Sequence, residues 1–457
     1  MFSYKAASKQ HPEKINKMMT KTEKESLADY IIDLAKKNGA NEVAVDISLE
    51  SEVSLQFRDG EIEQLQESQQ SGISIKVYAD HKYSSHSTND LRKDALKQFV
   101  ERAVKSTRYL TADKFRELPE QKYYPKNLGR DLNLLDSDYK NISTEDRLNI
   151  AREIHDLAKA ESDKIISVAA GYGDAIFSSF KAHSNGFSGH KEGTIFSTGA
   201  EVTVKDDDAR PEDYYWVQSR FKNKFPSPEF IAKKAAQGAL NKIGQSKIKS
   251  GAYNMLVENR AAIKLISMLL SPLSASAIQQ KSSYLDGMIG KSIASEKLNI
   301  IDNPFITGGL GSRLFDGEGI AAKERTIIKD GVLQQYYIDS YYGKKLGMEP
   351  NGGSSSNLIL NTGNQSVDEM MNRLGNGIFL TGFNGGNSNS TTGDFSFGIS
   401  GFYFENGKLA KPINEMNLSG NAKDFWQQLM EVGNDPYPYS KWLVPSLVFE
   451  GVNFSGL

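Results

Sequence analysis

The chain has 457 residues, of which 39% are hydrophobic and 25% charged, and its 55 Lys and Arg nearly balance 57 Asp and Glu. That length exceeds what one hydrophobic core organises, so about two or three domains are expected; no apolar run approaches the roughly 18 residues of a membrane span, and the near-neutral charge offers no field to gather nucleic-acid phosphates. No cysteine is present, which excludes disulfides, thiolate nucleophiles and any zinc site that needs a Cys ligand.

Residues 1–21 are basic and lack the apolar centre of about 7–15 residues of a secretory signal; they read as a flexible extension, and a cytoplasmic location is expected. Thr22 and Glu25 have the spacing of a capping box, and Leu27, Tyr30, Ile31, Leu34 and Ala35 follow at helical intervals up to Gly39. Alternation over Val43–Leu49, Leu55–Phe57 and Ile73–Val77, with Asp59-Gly60 as a tight turn, predicts an antiparallel meander. A second helix is expected over about Asp90–Tyr109, and Thr111–Tyr139 reads as a long connection.

The same order then recurs. A helix is expected over about Thr144–Ala160, strands from Ile165 to Val217 broken at Asn185-Gly186, and a helix over about Pro228–Lys242. Residues 22–245 thus read as an N-terminal α+β domain of duplicated helix–meander–helix units. Residues 246–457 read as a C-terminal, largely β domain, since 24 of the 39 glycines lie between Gly287 and Gly433. Hairpins are expected at Asp330-Gly331, with its second strand running to Ile338, and at Asn406-Gly407; helices are expected at about Arg260–Leu270 and Ala422–Met430.

None of His11, His81, His86, His155, His183 and His190 forms a short helical pair that would chelate zinc. His81, His86, His183 and His190 read as exposed structural residues beside turns, and His155 as a partly buried packing residue. No Gly-x-Ser-x-Gly elbow is present. The Gly-rich runs Asn351–Asn357 and Asn384–Gly393 lack the Lys-[Ser/Thr] of a phosphate loop and read as mobile loops. Asp316-Gly-Glu-Gly319 and Gly393-Asp-Phe-Ser-Phe-Gly398 place carboxylates beside flexible backbone, which suits either close approach of a peptide main chain or plain acidic turns.

The ordered motifs Phe315-Asp-Gly-Glu-Gly319, Glu324-Arg-Thr-Ile-Ile-Lys-Asp-Gly-Val-Leu333, Gly393-Asp-Phe-Ser-Phe-Gly-Ile-Ser-Gly-Phe402, Glu405-Asn-Gly-Lys408 and Pro412-Ile-Asn-Glu-Met-Asn-Leu-Ser-Gly420 together resemble the TldD/PmbA family. Its catalytic type, TldD, bears His-Glu-x-x-x-His on a helix of the C-terminal domain. An ungapped comparison puts that motif at Ile266, Ser267 and Ser271, so no zinc ligand and no general base is expected here. The continuation Lys423-Asp424 to Val432-Gly-Asn-Asp435 is similar to the PmbA (TldE) type.

The resemblance implies a non-metal-binding subunit of a heterodimeric zinc protease acting on unfolded peptides. Zinc would sit in a TldD-type partner, with no catalytic residue, cofactor, nucleic acid or membrane assigned to this chain, and a homodimer compatible with the lone chain. The family is associated with maturation of a peptide antibiotic, turnover of an antitoxin and a label as modulator of DNA gyrase. Substrate-groove or interface candidates are Asp316, Glu318, Gly319, Asp394, Gly398 and Glu415. A self-sufficient hydrolase and a gyrase-interacting regulator are the other classes left open.

Overall fold

The computed structural model describes residues 19–457, so His11 and all of the expected N-terminal extension up to residue 18 lie outside the described residues. The first half contains α1 (Lys21–Lys37), β1 (Glu42–Arg58), β2 (Glu61–Ala79), β3 (Lys82–Thr88) and α2 (Lys93–Thr107), then α3 (Thr144–Ala160), β4 (Ile165–His183), β5 (Ser188–Val204), β6 (Glu212–Ser219) and α4 (Pro228–Leu240). Helix, three strands, helix occurs twice, the order the sequence predicts. The strands hydrogen-bond in the order β3-β2-β1-β4-β5-β6, with antiparallel pairs such as Ile75↔His86 and Thr198↔Val217.

The chain forms two compact units. One contains the described residues up to 50 with 69–116 and 178–191; the other contains 51–68, 117–177 and 192–457. In the first, Ile31 and Ala35 of α1 and Leu96 and Val100 of α2 pack on Val45, Ile47, Ile73 and Ile75. In the second, Ala235 and Ala236 of α4 and Ile154 of α3 pack on Val168, Val202 and Val217. These are the inward faces that period-2 and period-3.6 spacing select.

Some boundaries differ from expectation. The capping box of α1 is Thr20 with Glu23 rather than Thr22 with Glu25. The two pairs share one spacing, and the earlier start carries Lys24 into the core, where its ammonium donates to Ser178 Oγ. His183 is buried against Phe187 instead of exposed, and burial, with Lys181 and Lys76 nearby, pushes its pKa down to about 3. His155 packs edge-on against Phe57, as its helical position predicts.

The second half contains β7 (Gly251–Val257), α5 (Asn259–Leu270), α6 (Ala275–Gln279), β8 (Ile300–Asn303), β9 (Arg325–Lys329), β10 (Val332–Leu333), α7 (Ser340–Leu346), β11 (Asn357–Leu360) and α8 (Val367–Leu374). It continues with β12 (Gly377–Ser388), β13 (Asp394–Glu405), β14 (Lys408–Asn421), α9 (Ala422–Phe425), β15 (Leu429–Val432), β16 (Trp442–Leu443) and β17 (Leu447–Ser455). One sheet runs β10-β9-β8-β11-β16. In the other, β14-β13-β12-β7-β17 closes on itself because β14 also pairs with β17, which makes a barrel. Its core holds Met255, Ile378, Phe397, Met416 and Phe449 together with Leu265 and Leu269 of α5.

The expected tight turns hold: Asp59-Gly60, Asp330-Gly331 and Asn406-Gly407 all take positive φ at both residues, the conformation that two-residue hairpins favour. The strand expected to reach Ile338 stops at Leu333, because Tyr336, Tyr337 and Ile338 turn into the core instead. The helix expected over Ala422–Met430 ends at Phe425 and gives way to a 3-10 turn and then β15, since Leu429 and Val432 pair with β17. The expected mobile loop Asn351–Asn357 is pinned: Arg325 donates to the carbonyls of Asn351, Gly352 and Ser354, and Asp302 accepts from the Ser356 amide. The run from Asn384 likewise begins inside β12 and turns only at Asn389–Gly393. No helix among the described residues is long and apolar enough to cross a membrane.

Candidate functional site

Strand β7 ends at Val257 and the chain turns directly into α5. The Glu258 amide donates to the Leu380 carbonyl of β12 at 2.9 Å, and the Ala262 amide to the Glu258 carbonyl at 2.8 Å. Arg260, Lys264, Ser267 and Ser271 then fall at helical intervals along the side of α5 away from the core. Lys264 and Ser271 are exposed, Arg260 and Ser267 half-buried, and Ile266 is fully buried among the core side chains. Ser271 Oγ donates to the Ser267 carbonyl at 2.7 Å.

This face does not suit a divalent metal. Serine hydroxyls are weak, neutral ligands, Ile266 has no donor atom, and two cations on the same side repel a metal ion. Among the described residues, no group of three or more His, Cys, Asp or Glu side chains converges in a way that could hold one.

Arg260 opens onto a cleft of about 330 Å³ bounded by Asp213, Lys242, Lys264 and the β12 segment Thr381–Gly386. A second cleft of about 540 Å³ shares Asp213, Arg260 and Thr381 and is walled by Tyr215, Phe230, Phe402, Tyr437 and Tyr439. The Arg260 guanidinium donates to both carboxylate oxygens of Glu258 and, at 2.8 Å, to the Tyr214 carbonyl on the outer edge of β6. Burial pushes the Glu258 carboxyl up, and the Arg260 charge opposes that rise. Lys242 donates to the Glu212 carbonyl at 2.7 Å and lies 3.4 Å from Asp213.

The β12 wall of this cleft has one backbone edge with no strand partner among the described residues. Pairing with β7 stops at Leu380↔Val257, and beyond it Thr381–Ser388 pairs, among the described residues, only with β13. Two register shifts, at Leu380/Gly382 and Phe383/Gly386, bulge this stretch. Gly385 and Gly386 take φ of +104° and +100°, which side-chain-bearing residues rarely adopt, and a Cβ at Gly385 would meet open space.

The residues singled out from the sequence lie elsewhere and form two groups. Asp316, Glu318 and Gly319 share one turn. The Asp316 carboxylate is buried and accepts from the amides of Glu318 and Ile320 at 2.8 and 2.9 Å, and Glu318 accepts from the amide and hydroxyl of Ser340 at the start of α7. Burial pushes both carboxyls up. Asp394 begins β13, is exposed, and accepts from Thr392 Oγ1 and Asn421 Nδ2, which holds its carboxyl below the usual range. Gly398 pairs with Asn417 farther along the same strand pair, and Glu415 is exposed on β14 at φ +55°, 3.4 Å from Lys247. No hydrogen bond or ion pair among the described residues joins the two groups, and none of the six lines the cleft. The cleft residues carried a sequence signal only in Asn384-Gly-Gly386, where an apolar strand runs into glycines; Asp213 comes from β6, and Arg260 and Lys264 come from α5.

Models of the PmbA/TldA metallopeptidase domain 1, central domain and C-terminal domain match residues 44–107, 137–243 and 250–456. A crystal structure from Bacteroides thetaiotaomicron, of a protein labelled provisionally as a modulator of DNA gyrase, is 40% identical and superposes with a TM-score of 0.93 over 96% of this chain and 100% of that one. The chain belongs to the PmbA/TldD family. Within it the likeness is to PmbA: Metalloprotease PmbA of Escherichia coli O157:H7 is 28% identical over 407 residues, 88% of each chain. TldE from Thermococcus kodakarensis shares the fold, with a TM-score of 0.84 over 94% of this chain and 100% of that one at 19% identity. Seen as a PmbA-type chain, this protein carries at the α5 positions compared with the catalytic motif one buried aliphatic residue and two serines.

Proposed function

We propose that this PmbA-type chain is the non-catalytic subunit of a two-chain cytoplasmic peptidase whose zinc is carried by a TldD-type partner, and that it helps hold unfolded peptide substrates. The observation that carries the reading is the outer face of α5, where the side chains are Arg260, Lys264, Ser267 and Ser271, none of them an imidazole or carboxylate that would ligate zinc or act as its general base. The Ser271 hydroxyl donates to the Ser267 carbonyl rather than to a base, which does not activate it as a nucleophile. What the site does offer is binding. The edge of Thr381–Ser388 that β7 leaves unpaired, beside the cleft that Thr381–Gly386 lines, suits an extended chain, which adds as a strand through main-chain hydrogen bonds. Such recognition is indifferent to most side chains but requires an unfolded segment, because a folded substrate has already satisfied its backbone. Positioning a peptide and excluding water raise the rate at a metal held by another chain without any chemistry from this one.

The test is zinc content and hydrolysis of casein or an unstructured peptide, measured on the purified chain alone, on a TldD-type protein alone, and on their mixture. The expected result is no stoichiometric zinc and no turnover for this chain alone, with the mixture faster than the TldD-type protein by itself. Chelator-sensitive turnover by the lone chain would overturn the reading.

A further inference from the structure

The cleft beside the β12 edge has a charge imbalance that predicts which peptides it takes. Four side chains that are charged at neutral pH line it, the cations Lys242, Arg260 and Lys264 against the single carboxylate Asp213. Arg260 is held by Glu258 from outside this lining, and Lys242 is engaged by Asp213 and the Glu212 carbonyl. Lys264 is different. It is exposed, its ammonium lies 5.3 Å from the centre of the Phe397 ring, and no carboxylate is within ion-pair distance of it among the described residues. Its charge therefore faces the same cleft as the β12 edge of Thr381–Gly386, and among the described residues it makes no ion pair.

The geometry points to a preference of this site for an extended peptide carrying an Asp or Glu side chain beside Lys264, and against one carrying Lys or Arg there. The inference rests on the strand-edge reading given above. Backbone pairing with β12 sets where the peptide lies, and alternate side chains then point toward the α5 face. A carboxylate there meets a net excess of positive charge, whereas a cation meets repulsion from Lys264 and Arg260. Because Lys264 is exposed, the gain is that of a surface ion pair, up to about fivefold in affinity at low salt, and it shrinks once the Debye length falls to about 3 Å near 1 M salt.

The experiment uses the full chain and end-capped, fluorescein-labelled ten-residue Gly/Ser peptides with Glu, Gln or Lys at the centre, plus the Gln peptide with a free C-terminal acid, read by fluorescence anisotropy. The expected order is Glu over Gln over Lys, with about a fivefold spread between the first two at low salt. Lys264→Gln should remove the preference and Lys264→Glu invert it, with an unchanged far-UV circular dichroism melt showing that both variants fold. Equal binding of the Glu and Gln peptides, or a preference that survives Lys264→Gln, would overturn the charge preference and leave the strand-edge site standing. Tighter binding of the free-acid peptide than of the Glu peptide would overturn the side-chain preference in favour of a terminal carboxylate. Binding of none of the peptides would remove the strand-edge site and this inference together.

Discussion

Arg260 Nη2 lies 3.1 and 3.0 Å from the two carboxylate oxygens of Glu258, so the residue that ends the β7 connection and the second residue of α5 clasp each other at the mouth of the cleft. The pair is about three-quarters buried, with 23% and 24% of the two side chains exposed. Glu258 provides no side-chain cap for α5, since its carboxylate is turned to the guanidinium instead.

Arg260→Ala should therefore destabilise the protein by about 2 kcal/mol at neutral pH, less than the full cost of breaking a wholly buried pair. Without the guanidinium, burial holds the Glu258 carboxyl above its usual value of 4.5 with less opposition. A carboxyl raised on folding adds stability below its unfolded pKa and loses that contribution as pH rises through the folded one. The loss should thus be smaller near pH 4 than at pH 7, which urea titrations of both proteins at the two pH values would show. A loss that does not depend on pH would assign the effect to packing of Arg260 over the Tyr215 ring.

His183 predicts a pH dependence of its own. Its folded pKa, about 3, lies well below the ordinary 6.5. The unfolded chain therefore binds a proton between these values that the folded chain does not. Stability from this residue should fall as pH drops from about 6.5 toward 3, by on the order of 1.4 kcal/mol per pH unit. In His183→Phe, which keeps a ring against Phe187, the urea midpoint should vary less over that window than in the unaltered protein.

Arg325 and Asp302 are buried together, with 7% and 1% of their side chains exposed. Arg325→Met should cost about 3–5 kcal/mol, because Asp302 is left charged and buried and three loop carbonyls lose their donor. Limited proteolysis should then cut in Asn351–Ser356, a segment expected to resist in the unaltered protein. Resistance there in a folded Arg325→Met protein would show that Asp302, together with Arg313, whose guanidinium donates to the Ser354 carbonyl at 2.6 Å, holds the loop unaided.

Asp316 and Asp394, alike as candidates from sequence, should separate on substitution. Asp316→Ala removes the acceptor of two backbone amides in a buried turn and should destabilise by about 1–3 kcal/mol. Asp394→Ala acts at an exposed hairpin and should change stability by about 0.5 kcal/mol or less. If Asp394 faces substrate, peptide hydrolysis by the mixture with a TldD-type protein should fall in Asp394→Ala at unchanged stability. Intact activity would remove Asp394 from the substrate surface.

Local chemistry made much of the fold legible. The duplicated helix–meander–helix order follows from hydrophobic period, and three hairpin turns follow from Asp-Gly and Asn-Gly pairs whose residues accept positive φ. Expectation failed where long-range packing outweighed local preference. Tyr336–Ile338 left their strand for the core, the helix at Ala422 was cut short by pairing of β15 with β17, and the loop after Asn351 was fastened by an arginine 26 residues earlier in the chain.

The sequence by itself determined that this PmbA-type chain carries no cysteine and no helical pair of zinc-chelating histidines, because the presence and spacing of such groups are properties of covalent order. Only the tertiary structure decided that Asp316 and Glu318 fasten a turn, and that Arg260, Lys264, Asp213 and the unpaired end of β12 share one cleft. Asp213 lies on β6, Arg260 and Lys264 on α5 and the unpaired end on β12, and they meet where β7 stops pairing with β12 and where Arg260 reaches the Tyr214 carbonyl of β6. Neither is encoded in any local stretch of sequence.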